Sequence, residues 1–150
     1  MRLTSIRLFA TALTVLFVAG ATTPARGADP CTFLTTAQVT AAMGTPVNDG
    51  TPGPKNCIWH ATKRDGNVYI TLRDSASFAM FKSQAQAAGH LVPASGLGDD
   101  AFFVTGKDSA ALYVLKGSQV LLIMARITGN TGEQNQAIEK ALAAQAITHL

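Results

Sequence analysis

One hairpin, between Ala110 and Ile127, constrains the fold more than any other stretch, because it is apolar on both of its faces. With a turn at Gly117-Ser118, Leu112, Val114, Leu121 and Ile123 fall on one face, and Tyr113, Leu115, Leu122 and Met124 fall on the other. A strand pair with one side meant for water would alternate apolar and polar residues. Two readings stay open here. The pair is central in a sheet and covered on both sides, or one apolar face is a groove or a surface for a second copy of the chain.

The rest of the chain supplies partners for that hairpin. Thr35-Thr36-Ala37-Gln38 is a capping box, with Leu34 and Val39 spaced as a hydrophobic staple and Gly44 as a stop, so a first helix is expected there. The stretch "GTPVNDGTPGPKN" reads as a turn-rich loop. Two strands should follow, joined at Asp65-Gly66, with Trp59 opposite Leu72. That pairing gathers Cys57, Trp59, Ala61, Val68, Ile70 and Leu72 on a core face. Ile58, His60, Thr62, Tyr69, Thr71 and Arg73 go to a mixed outer face. A second helix fits Ser77 to Ala88, with Phe78, Phe81 and Ala85 along one stripe. "VPASGLGDD" reads as a loop, and a strand fits Ala101 to Thr105. Thr131 and Gln134 open a last helix running to about Ala146, with Ile138, Ala141, Leu142 and Gln145 on its period. The expected order is α-β-β-α-β-β-β-α, an α+β domain with an antiparallel sheet of about five strands and helices packed on it. The α-then-strands order occurs twice, a weak sign of internal duplication.

The N-terminus speaks to compartment. Arg2 and Arg7 flank the start, "LFATALTVLFVAGA" follows, and no acid precedes Asp29. A charged start and an apolar run too short to span a bilayer predict a signal peptide over residues 1–27. Cleavage after Ala25-Arg26-Gly27 leaves one domain over residues 28–150, with Ala19-Gly20-Ala21 as the other small-x-small site. "ADPC" is a poor lipobox, because Asp29 and Pro30 stand where small residues are needed. The expectation is a soluble periplasmic or extracellular chain with no stable membrane anchor. Removing Arg2, Arg7 and Arg26 from the twelve basic residues leaves nine, against nine acids, so the net charge of +3 becomes zero. The basic balance thus resides in the targeting segment and argues for no nucleic-acid partner.

Export decides how the cysteines are read. Cys31 and Cys57 are the two in the chain, and in an oxidising compartment such a pair forms a disulfide rather than a reactive thiol or a metal site.

"CTFLTTAQV", "MG", "CIW", "VYITL" and "SGLGDDAF" together resemble a family of uncharacterised actinobacterial cell-envelope proteins, a domain of unknown function. Its members read C-x-L-L-T, L-G, C-x-W and G-L-G-D-x-A at similar spacings. The resemblance runs from Cys31 to about Ile127 and is most specific at Cys31 and Cys57-Ile58-Trp59. It implies an extracellular fold distantly similar in layout to sensor domains of receptor kinases. Many of those proteins are lipoproteins, and this chain departs from them at the lipobox. No catalytic residue is carried over.

Little in the chain signals chemistry. Gly96, Gly98 and Ala101 match one form of the dinucleotide fingerprint, but a strand follows instead of a helix, and Asp99-Asp100 would repel a pyrophosphate. His60, His90 and His149 lack metal-ligand spacing, and no serine sits in a G-x-S-x-G elbow. No cofactor and no metal is expected. The outer patch of His60, Tyr69, Thr71 and Arg73, with Tyr113, Leu115, Leu122 and Met124, is the candidate binding surface. The sequence therefore favours a non-enzymatic exported binding or interaction module, for an envelope protein, a small ligand or a second copy. The alternative is a small periplasmic hydrolase using His60 with a nearby acid.

Overall fold

A computed structural model describes residues 28–150, and the expected signal segment lies outside the described residues. The chain enters through a short helical turn, Pro30–Thr32, capped by the Asp29 side chain. Helix α1 (Thr36–Met43) starts at the anticipated capping box, where Thr35 and Gln38 exchange hydrogen bonds with each other's backbone N–H groups. Leu34 and Val39 are both buried, as a staple requires. Strands β1 (Thr51–Gly53), β2 (Asn56–His60) and β3 (Gly66–Asp74) then form a meander. Helix α2 (Ala76–Ala87) crosses to the far edge of the sheet. Strands β4 (Leu91–Pro93), β5 (Asp100–Thr105), β6 (Ala110–Lys116) and β7 (Gln119–Ile127) return as a second meander until β7 pairs with β3. Helix α3 (Gly132–Ala146), opened by the second capping box, closes the fold.

The architecture is α+β, with a seven-stranded antiparallel sheet in the order β1-β2-β3-β7-β6-β5-β4. This corrects the expected five strands and their order. The two additional strands, β1 and β4, are three residues long and lie at the two edges. Each carries a proline (Pro52, Pro93) and neither alternates, so neither has the sequence pattern of a strand. In both cases the register turns the proline nitrogen away from the paired neighbour, toward the open edge.

The hairpin of β2 and β3 also differs from expectation. Trp59 faces Val68, not Leu72, and Ala61 N–H donates to Gly66 O across a four-residue turn, Thr62 to Asp65. The slip is four residues, an even number, so every side chain keeps its anticipated face. Gly66 belongs to β3 rather than to the turn. A Cβ there would stand 2.8 Å from the Arg126 carbonyl oxygen on β7.

Two cores result. On one face, α1 and α3 cover Cys57, Trp59, Val68, Ile70, Leu112, Val114, Leu121 and Ile123. On the other, α2 lays Phe78 and Ala85 on Phe102 and Val120, with Phe81, Tyr113 and Leu115 packed around them. The central hairpin is thus covered twice over much of its length, because the crossover from β3 to β4 must pass over a sheet face and carries a helix with it. Cys31 and Cys57 form a disulfide with Cα atoms 5.1 Å apart, tying the entering chain to β2. The motif "GLGDD" is structural. A Cβ on Gly98 (φ +56°) would run into the Leu115 carbonyl oxygen, and Asp99 accepts the Gly117 N–H at 2.7 Å, fastening the loop to the β6–β7 turn. Among the described residues no helix is long and apolar enough to cross a membrane.

Candidate functional site

Helix α2 covers only part of its face. Pairing brings Tyr69 beside Met124 and Thr71 beside Leu122 on strands β3 and β7, on the side of the sheet that α2 also occupies. Of the eight residues in the candidate surface, Thr71 and Leu122 are buried, at 6% and 5% exposure. The Thr71 hydroxyl donates to Lys55 O, which holds the β1–β2 turn against β3. Tyr113 and Leu115 pack against the aromatic cluster under α2. Burial pushes the Tyr113 phenol above its usual range, against a smaller downward pull from the Arg73 guanidinium. His60 and Arg73 are exposed, and Tyr69 and Met124 are half-buried.

What the fold leaves open is therefore the β2–β3–β7 half of this face. Its side chains come from Asn56, Ile58 and His60, then Asn67, Tyr69 and Arg73, then Met124 and Arg126. None of them is acidic. The Arg73 guanidinium is set over the Phe81 ring, 5.4 Å from its centroid, which orders it beside the N-terminal end of α2. Between β3 and that helix end lies a groove of about 530 Å³ lined by Lys55, Tyr69, Thr71, Arg73, Asp74 and Ser77. Neither Arg73 nor Arg126 makes an ion pair among the described residues. His60 makes no side-chain hydrogen bond among the described residues, and across the ladder it faces Asn67.

At the other end of the sheet β6 and β7 part company. Their pairing stops at Leu112–Ile123, and the Ala125 N–H, which a continued ladder would give to β6, donates instead to Glu139 Oε1 at 2.8 Å. Glu139, on α3, is fully buried, and its Oε2 has no partner among the described residues. Burial pushes its carboxyl up to about 8, although the Ala125 hydrogen bond pulls the other way. The sequence pattern assigned α3's inward face to Ile138, Ala141, Leu142 and Gln145. Leu142 is buried and Ile138 packs against the core as that period requires, but Ala141 is exposed, and Asn135, Glu139, Ala143 and Ala146 complete the buried set. Beyond the parting strands opens a polar cleft of about 620 Å³, with Asp65, Asn67, Lys107, Asp108, Arg126 and Asn135 among its walls. Two residues of its wall are tied to Arg64, which donates to Thr128 O at 2.8 Å and to Asn130 Oδ1 at 3.1 Å. No group of three or more His, Cys, Asp or Glu side chains converges among the described residues.

Comparison with known proteins returned no match among family models, curated proteins or solved structures.

Proposed function

We propose that this chain is an exported binding module of the cell envelope, akin to the family its sequence resembles, and that it engages an extended acidic segment of another envelope protein. The observation that carries the reading is the acid-free half-face of β2, β3 and β7. In a mature chain of balanced charge, two unpaired arginines flank a strip of Tyr69, Met124 and Ile58. Arginine and tyrosine are the side chains that most often carry interface energy, and methionine adapts to the shape of its partner. The disulfide suits the same setting, as does the signal peptide expected from the sequence. The hydrolase alternative has less behind it. His60 would need an acid or hydroxyl within hydrogen-bond reach, and Asn67 is what faces it.

The test uses fluorescent Asp/Glu-rich peptides with a central leucine or phenylalanine. Anisotropy should show binding that weakens as salt rises. Arg73→Glu with Arg126→Glu should abolish it while the circular dichroism spectrum stays that of the parent. Binding that is absent, insensitive to salt or unchanged by the double reversal would sink the proposal.

A further inference from the structure

The polar cleft beyond the parted ends of β6 and β7 is lined by one side chain of fixed polarity. Asn135, in the first turn of α3, is only 1% exposed and lines the cleft. Its Oδ1 accepts from Asn130 Nδ2 at 3.3 Å, and Asn130 Oδ1 in turn accepts from Arg64 at 3.1 Å. A guanidinium can only donate. Asn130 must therefore turn its oxygen to Arg64 and its amide nitrogen to Asn135, which must answer with its own oxygen. Neither amide can flip without setting donor against donor. The relay ends at Asn135 Nδ2, a donor with no acceptor among the described residues. Unlike Glu139 Oε2 one turn further along α3, this atom is not sealed in the core, and the cleft is what reaches it.

We infer that the cleft binds a small zwitterion, a free amino acid or dipeptide, with its carboxylate on Asn135 Nδ2. The buried donor calls for an acceptor oxygen, and the charges on the walls select which molecule brings it. Asp65 and Arg126 stand on the β3–β7 side, and Lys107 and Asp108 stand on the turn between β5 and β6. None of the four is in an ion pair among the described residues. A bare anion would meet two acids and a bare cation two bases, whereas a molecule with one charge of each sign pairs with both. The Thr128 hydroxyl donates to Asp65 Oδ2 at 3.1 Å, which orients that carboxylate. No aromatic ring is among the described residues lining the cleft, so a sugar or heterocycle finds no face to stack on. The volume of about 620 Å³ is in the range of small-molecule sites, and a dipeptide spans at most about 7 Å. The cleft shares only Asn67 and Arg126 with the acid-free half-face, and neither belongs to the relay.

The experiment titrates glycylglycine into the ¹⁵N-labelled, disulfide-bonded protein, beside N-acetylglycylglycine, which lacks the ammonium, and glycylglycinamide, which lacks the carboxylate. Glycylglycine should shift the Asn135 side-chain NH₂ signals and the amides of Ser109, Thr128 and Asn130. Each blocked form should bind about tenfold more weakly or worse. Asn135→Asp, which swaps the donor for an acceptor of the same size, should weaken glycylglycine by about tenfold or more. If that variant fails to fold, Arg64→Met, at an exposed position, frees Asn130 to turn and should weaken glycylglycine roughly fivefold with the circular dichroism spectrum unchanged. Both variants keep Arg73 and Arg126, so their response to acidic peptides is the parent's whether or not the half-face binds. Absent shifts, shifts that map away from the cleft, equal binding of the blocked forms, or parental binding by the variants would each overturn the assignment.

Discussion

Glu139 occupies a position where a strand should be. Its Oε1 takes the Ala125 N–H that β6 relinquishes, and its second oxygen has no partner among the described residues. With the folded carboxyl holding its proton to about 8, against an ordinary value of 4.5, the unfolded chain binds fewer protons between those values. Stability therefore falls as pH rises through that window, by up to about 1.4 kcal/mol per unit from this group, and is flat from it below and above. Glu139→Gln keeps an oxygen for Ala125 and cannot ionise. Urea unfolding at pH 5, 7 and 9 should show the slope in the parent and its loss in the variant, with the largest gain at pH 9. None of this was legible in "EQNQAIEKALAAQA". A glutamate in a helix reads as solvent-facing, and the departure of β6 from β7 is a tertiary event with no local signature. The capping residues Thr35 and Thr131 were legible, because a cap is settled within four residues.

Among the elements, those long enough to show their period stood out in the sequence, and the three-residue edges did not. The two apolar faces of the β6–β7 hairpin left two readings open, a covered central pair or an exposed binding face, and the pair is central with Tyr113, Leu115 and Leu122 of the second face packed or buried. Which parts of the second face would be covered depended on where α2 crosses, and that follows from the whole topology. A pair of variants on one strand makes the distinction measurable. Leu122 and Met124 share a face and lie two residues apart, yet Leu122 is buried and Met124 is half-exposed. Leu122→Asp should cost about 4 kcal/mol or more through an unpaired buried charge and lost packing, enough to unfold a marginal domain. Met124→Asp should stay folded and cost about 1 kcal/mol. Chemical denaturation followed by Trp59 fluorescence separates them, and equal losses would mean the half-face is as closed as the rest.

For the whole molecule, the disulfide and the sheet's two ends set what the chain can withstand and how it can associate. The bond closes a separation of 26 residues, which the chain-entropy model equates with about 3.5 kcal/mol. Cys31→Ala with Cys57→Ala should lower the unfolding free energy by about that amount, and reducing the parent should reproduce the loss. An unchanged urea midpoint would show that the core holds without the bond. The sheet's ends have a different consequence. An open sheet offers a row of unpaired amides at each margin, and a crowded chain arriving unfolded can add its own strand there, copy after copy. Here each terminal strand is three residues long and has a proline in it, whose missing donor is on the outward side. A fibril seed would find no ladder to copy at either margin, so the sheet stops growing at its seventh strand.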